Sequence, residues 1–122
     1  IRKLIKEGAA AVESENINDV MSKVSFNYSD DHGLNYLYLK EEMKKIFQRM
    51  DHIMIEYDIR EMELKDKSAA VTVDLRVIAT YGQDTGYFMG DAAGPVEVLF
   101  SLEKVRTKWL VRSTTGIPAF VL

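Results

Sequence analysis

The chain contains no cysteine, which excludes disulfide bonds, thiolate nucleophiles and zinc sites with sulfur ligands. Its formal net charge is −3, and charges of both signs are spread along the whole sequence. A nucleic acid would require a basic surface, so we expect no nucleic-acid partner. No apolar run approaches the roughly 20 residues that a membrane-spanning helix requires. What remains is an ordinary globular composition, with 47% hydrophobic and 29% charged residues.

The length of 122 residues is enough for one domain with its own core and too short for two. We therefore predict a single domain over residues 1–122. The chain begins at Ile1 and not at methionine, so we expect that an N-terminal piece precedes it in the gene product. The location is then either cytoplasmic or, if that piece is a leader, exported or lipoprotein-like.

The first half of the chain is helical in pattern, because apolar residues recur at helical spacing in three segments. The first segment runs to Glu13, and the second follows Asn16. The third spans residues 36–50, with Asn35 as its N-cap and Gly33 supplying the positive φ of a tight turn before it. This pattern predicts three N-terminal helices.

The second half of the chain has the period-two alternation of β-strands. This alternation predicts strands over residues 53–60, 69–81, 96–103 and 109–115. Residues 82–94 hold four of the seven glycines, and we predict a long loop there. Residues 117–122 form an apolar tail that we expect to dock on the domain or on another subunit.

Four stretches carry a resemblance to a known fold family: AVESENINDVMSKVS (11–25), YSDDHGLNYLYLKEEMKKIF (28–47), SAAVTVDLRV (68–77) and EVLFSLEKVRTKWLVRS (97–113). Their order resembles the nuclear transport factor two-like, or SnoaL-like, superfamily, and the chain is similar to its small bacterial members. The resemblance implies an α+β fold. In it a cone-shaped, strongly curved antiparallel or mixed sheet of about four to six strands wraps around three helices.

The same resemblance implies an apolar pocket at the open end of the cone and a homodimer formed through the sheet. The family includes ketosteroid isomerase, polyketide cyclases, dehydratases and scaffold proteins, so the fold does not choose a function. We favour non-catalytic binding of a small hydrophobic molecule, without a cofactor. One alternative is a SnoaL-like isomerase, cyclase or dehydratase with an aspartate as general base. Another is a dimeric structural or adaptor domain.

The expected pocket combines helical and strand residues with the 82–94 segment. Its candidate lining residues are Ile5, Ala9, Val12, Tyr28 and Tyr57. Arg112 joins them if a bulge shifts the alternation of the last strand, since bulges are frequent in curved sheets. Without such a shift, Arg112 lies on the solvated or dimer face.

The stretch NYSDDHGLN, at residues 27–35, is the richest in chemistry. If the protein is an enzyme, Asp30 or Asp31 is the candidate base and His32 a supporting acid or base. The alternative interpretation is a solvated acidic turn with a surface histidine. A metal site is not predicted, because His32 and His52 lack a third imidazole and the usual ligand spacing.

The isomerase alternative lacks its expected oxyanion donors. The resemblance implies a tyrosine donor on the first helix, and this chain has Gly8 at that place. By alternation, the inward positions of the long strands are all apolar, including Val73, Val77 and Phe100. No second donor is therefore visible on the β half.

Overall fold

A computed structural model of the protein describes residues 1–118. Three helices precede five strands, which confirms the predicted α+β class and the order of elements. The C-terminal residues 119–122 of the predicted apolar tail lie outside the described residues. The helices are α1 (Arg2–Glu13), α2 (Ile17–Ser22) and α3 (Tyr36–Arg49), and the strands are β1 (Met50–Leu64), β2 (Ser68–Tyr81), β3 (Asp84–Met89), β4 (Val96–Val105) and β5 (Lys108–Thr115).

The boundaries of α2 and α3 follow from local hydrogen bonds. The side chain of Asn16 accepts the backbone N–H of Asp19, and the side chain of Asn35 accepts that of Tyr38. Both asparagines thus satisfy a donor that a helix N-terminus leaves without a partner. The helix α3 passes into β1 without a loop, since its C-cap, Met50, is also the first strand residue.

The five strands form one antiparallel sheet in the order β1-β2-β4-β5, and β3 also pairs with β2. The first half of β2 pairs with β4 and its second half with β3. The segment 82–94, which we expected to be a long loop, therefore contains a strand. We predicted a loop because of its glycines and gave too little weight to Thr85, Tyr87 and Phe88, whose residue types are frequent in strands.

Register shifts interrupt the strand pairs β1–β2, β2–β3 and β4–β5. Each such bulge bends its strand and increases the local twist. The outer edge of β5 is covered by the segment between α2 and α3. There the N–H of Ser25 donates to Val111 O at 2.9 Å, and the N–H of Ser29 donates to Arg112 O at 3.1 Å.

The most deeply buried residues lie on the inner face of β2 and β4. Val71, Val73 and Val98 are 0% exposed, as the period-two alternation predicts. A smaller cluster of Ala11, Val20 and Met21 joins α1 and α2. Within the part of the chain that the structure describes, no helix has the length and hydropathy needed to cross a membrane.

Candidate functional site

A cavity of about 280 Å³ lies between the helices and the inner face of the sheet. It is close to the lower end of the roughly 300–1,000 Å³ of typical ligand pockets. It is also about twice the roughly 150 Å³ cavity that holds benzene in a protein core. Its wall is almost entirely apolar, and includes Leu39, Met43 and Ile46 of α3 and Val73, Leu75, Val77 and Phe100 of the sheet.

Five of the six residues that we expected in a pocket lie in this wall: Ile5, Ala9, Val12, Tyr28 and Tyr57. Phe88 and Met89 contribute from the 82–94 segment, and Ile117 contributes from the beginning of the tail. The helical face of α1 and the alternating face of β1 meet at the cavity, so the two sequence periods indicated Ile5, Ala9, Val12 and Tyr57. Tyr28 was expected there because its ring combines an apolar body with one hydroxyl.

Arg112 is the residue that the structure puts elsewhere. Ser101 of β4 lies opposite Ser113, and the next β4 residue lies opposite Val111, so Arg112 is the extra residue of a bulge. Its side chain is 54% exposed, and its Nε lies 3.6 Å from Oε1 of Glu103. The bulge that we considered is present, but the residue that it brings into the wall is Thr114 and not Arg112.

Three polar side chains meet at one side of the cavity, and we call them the Tyr28 cluster: Tyr28, Asp30 and Thr114. The hydroxyl of Tyr28 donates to Oδ2 of Asp30 at 2.7 Å. The Oγ1 of Thr114 lies 2.7 Å from the same hydroxyl. All three residues belong to the wall, and only 3% of Tyr28 is exposed. The cluster is therefore a buried polar spot in an apolar surface.

The turn after Tyr28 orients Asp30 toward the cavity. Its Oδ1 accepts the backbone N–H groups of His32 and Leu34, each at 3.0 Å. Gly33 completes the turn with a φ of 79°, a conformation that glycine adopts without steric cost. Asp31 is not part of the wall, and 49% of its side chain is exposed. The two adjacent aspartates thus have different surroundings.

His32 connects this turn to the C-terminal segment. Its Nε2 lies 2.6 Å from the carbonyl oxygen of Ile117, and both residues line the cavity. The chain reaches this position through Gly116, whose φ is 99°. A Cβ on that residue would lie 2.5 Å from the carbonyl oxygen of Glu97, so only glycine fits there without a rearrangement.

The titratable groups of the wall are mostly bound to partners. Burial raises the pKa of Tyr28 well above its ordinary value, so the phenol stays protonated and remains a donor. Lys23 also reaches the wall, with its Nζ 3.2 Å from Glu7, and this hydrogen bond lowers the pKa of Glu7. Glu42 is paired with Lys45 at 3.3 Å.

The arrangement is suited to binding by apolar contact with one polar anchor. Within residues 1–118, no group of three or more histidine, cysteine or acidic side chains is arranged to hold a metal ion.

Sequence reasoning missed Thr114, because strict alternation along β5 contains no signal for the bulge at Arg112. Its neighbours Ser113 and Thr115 are polar as well, so the residue type at position 114 gave no sign of its place in the wall.

The comparisons with solved structures show the fold. A Novosphingobium aromaticivorans protein provisionally named scytalone dehydratase has a TM-score of 0.79 and 10% identity, over 97% of this chain and 85% of its own. A ketosteroid isomerase-like protein from Erwinia carotovora has a TM-score of 0.74 and 16% identity, over 97% of this chain and 94% of its own. For Bdellovibrio bacteriovorus Bd1075 the TM-score is 0.77 and the identity 10%, over 96% of this chain.

The chain spans only 38% of the length of Bd1075. Neither a protein-family model nor a curated protein matches the sequence. At such identities the likeness shows architecture alone, and that architecture is the nuclear transport factor two-like, or SnoaL-like, fold implied by the sequence resemblance.

Proposed function

We propose that this domain of nuclear transport factor two-like fold binds a small, mostly apolar molecule in the cavity between its helices and its sheet. The observation that supports the proposal is the cavity of about 280 Å³ with a nearly continuous apolar wall. Protein interiors are close-packed, and an empty cavity costs about 24 cal/mol per Å³ in stability. A ligand that fills the space recovers those contacts and removes its own apolar surface from water.

The test of this function is the binding of N-phenylnaphthylamine, an uncharged dye whose fluorescence rises in apolar surroundings. We expect saturable binding to the wild-type protein. Ala9→Phe fills the cavity from α1 and should weaken binding by about tenfold or more. Ala10→Phe is the matched control, because Ala10 is the next residue of the same helix, is exposed and is not part of the wall. Absence of binding, or equal binding by both variants, contradicts the proposal.

Catalysis by Asp30 is the second candidate function. What favours it is that the Asp30 carboxylate belongs to the cavity wall. What opposes it is that this carboxylate already accepts three hydrogen bonds from the protein, so little of its acceptor capacity is directed at a substrate. Incubation with small cyclic ketones in D₂O tests the candidate by NMR: deuterium exchange beside the carbonyl that Asp30→Asn abolishes would support it. Exchange that is absent, or that the variant retains, would remove it.

Assembly into a homodimer through the sheet is a further proposal. Met54 and Ile78 are paired in register, as are Ile78 and Tyr87, so these three residues share the outer face. Met54 and Tyr87 are among the exposed large hydrophobic residues. A second copy covering this row would bury it. We expect Tyr87→Glu to shift the sedimentation coefficient to that of a monomer, whereas the exposed helical substitution Leu37→Glu should not. A wild-type protein that sediments as a monomer contradicts the proposal.

A further inference from the structure

The hydrogen-bond directions in the Tyr28 cluster follow from the chemistry of its members. An ionised carboxylate can only accept, and a tyrosine hydroxyl has one hydrogen to donate. The Tyr28 hydroxyl donates that hydrogen to Oδ2 of Asp30 at 2.7 Å. It therefore meets its other neighbours as an acceptor.

The direction of the second bond is then determined. Thr114 Oγ1 and the Tyr28 hydroxyl are 2.7 Å apart, and one of them must donate. Since the hydrogen of Tyr28 is already used, Thr114 donates to the oxygen of Tyr28. Both hydrogen bonds are thus donated in the same direction, from Thr114 to Tyr28 and from Tyr28 to the carboxylate of Asp30.

The neighbouring donors are used as well. The backbone N–H groups of His32 and Leu34 both donate to Oδ1 of Asp30. The carbonyl oxygen of Ile117 can only accept, so Nε2 of His32 carries its hydrogen and donates it there. What these groups still offer to a ligand is acceptor capacity, chiefly the lone pairs of Thr114 Oγ1 and the second acceptor site of Asp30 Oδ2.

We propose that the bound molecule carries a hydrogen-bond donor, a hydroxyl or an amine, at the end that meets the Tyr28 cluster, and that this end is not a carboxylate. The inference rests on the proposed binding function and narrows its ligand class. A donor would complete the free acceptor sites beside a negative charge. A carboxylate would bring a second negative charge to the Tyr28 cluster, whose own hydrogens are already donated within it, and burying an uncompensated charge is costly.

Lys23, whose side chain is positively charged, also lies in the wall and suggests the opposite ligand class, an acid. The ammonium group of Lys23 has further hydrogens beyond the one that it directs to Glu7, so a carboxylate ligand could bind there instead. In that arrangement the ligand would be an acid and the Tyr28 cluster would have no part in its recognition. Comparison of acidic, neutral and donor-bearing probes separates these two orientations.

The probes are 2-naphthol, naphthalene and 2-naphthoate, which share two fused rings and differ only in the polar end. Two rings suit a cavity about twice the size of one that holds benzene. Their dissociation constants are measured by displacement of N-phenylnaphthylamine. We expect 2-naphthol to bind about tenfold more tightly than naphthalene, as one charge-assisted hydrogen bond provides, and 2-naphthoate to bind more weakly than naphthalene.

The variant that isolates the cluster is Asp30→Asn. The asparagine oxygen can still accept the two backbone N–H groups, so the turn is kept. Its amide nitrogen now donates to Tyr28, which reverses the chain of hydrogens and leaves the Thr114 hydroxyl free to donate to a ligand. We expect the preference for 2-naphthol over naphthalene to fall to about twofold or less, and the affinity for 2-naphthoate to rise. Asp31→Asn, which neutralises the adjacent exposed carboxylate, should leave the wild-type order unchanged.

The outcomes distinguish the two proposals. If the dye and all three probes fail to bind, the binding function is wrong and the inference falls with it. If naphthalene binds but 2-naphthol binds no better, or if 2-naphthoate binds most tightly, the binding function stands and the inference is overturned. Near-ultraviolet circular dichroism checks that both variants are folded. An unfolded Asp30→Asn is replaced by Thr114→Val, which removes an acceptor and should reduce the preference for 2-naphthol.

Discussion

The two sides of the cavity are built differently. On the sheet side, Val71, Val73 and Val98 are 0% exposed. On the helix side, α3 has 14 residues and none of them is buried, although its apolar stripe faces the same space. The strands pack against neighbouring strands and against one another's inner side chains. The apolar stripe of α3 packs in part against the Ala11, Val20 and Met21 cluster and in part borders the cavity, while its other face is in solvent.

This difference indicates that stability and binding reside in different layers. A side chain beside a void lacks partner atoms on one side and forfeits part of its dispersion energy. The apolar residues of α3 therefore contribute less to folding than their hydrophobicity suggests. They are the residues whose size can vary at a small cost in stability while the volume available to a ligand changes.

The largest effect is expected on the sheet side. Leu102 is 2% exposed and packs in the β2–β4 cluster, so Leu102→Ala should lower the free energy of unfolding by about 3 kcal/mol. Urea denaturation followed by circular dichroism measures this loss. A loss below about 1 kcal/mol would mean that the sheet does not hold most of the stability.

A second test concerns the glycine through which the chain reaches the cavity. Gly116→Ala combines a φ of 99° with a Cβ 2.5 Å from Glu97 O, and we expect a loss of about 2–3 kcal/mol. Gly82→Ala is the matched control, because Gly82 has a φ of 63° but nothing within 4 Å of its Cβ position. It should lose only about 1 kcal/mol, the cost of the left-handed conformation. Equal losses would show that the close contact has no energetic weight.

The stability of the protein at alkaline pH tests the burial of the Tyr28 hydroxyl in the Tyr28 cluster. The pKa of Tyr28 is raised by burial in the folded protein, whereas an unfolded tyrosine has a pKa of about 10. The contribution of Tyr28 to the free energy of unfolding is therefore complete below about pH 10. It is lost as the pH rises above that value, by about 1.4 kcal/mol per pH unit. Denaturation between pH 8 and pH 11 should show a steeper decline for the wild type than for Tyr28→Phe. Parallel curves would contradict the burial of this hydroxyl.

The smallest loss is expected on the helix side. Met43 lies in the cavity wall and is only half-buried, so Met43→Ala should reduce the free energy of unfolding by about 1 kcal/mol. The same change enlarges the cavity. Its effect on the free energy of binding N-phenylnaphthylamine should therefore exceed its effect on the free energy of unfolding. If Met43→Ala is as destabilising as Leu102→Ala, the two layers do not differ as we infer.

Much of the fold could be predicted from the sequence. Period-two alternation marked the strands, and Asn35 and Gly33 marked the start of α3, because these signals arise from local backbone chemistry. The wall residues of α1 followed from helical spacing. The strand β3 was missed, since its pairing with β2 depends on tertiary register and its glycines suggested a loop.

Only part of the Tyr28 cluster could be predicted from the sequence. Asp30 and Tyr28 were named as candidates, but nothing in the sequence indicated that Asp30 and not Asp31 would line the cavity. That choice is made by the turn that binds Oδ1 of Asp30. The partner Thr114 depends on a bulge at Arg112, and one inserted residue reverses the face of every position beyond it.

The covered edge of β5 has a consequence for how this protein can aggregate. An exposed strand edge is a template for adding strands from other molecules, and this chain covers the middle of its β5 edge with its own segment before α3. At the other edge, the Glu13 carboxylate accepts the N–H of Ile55 in β1, and β1 carries several charged side chains. Addition of a strand is therefore hindered along the covered part of β5 and opposed by charge at β1.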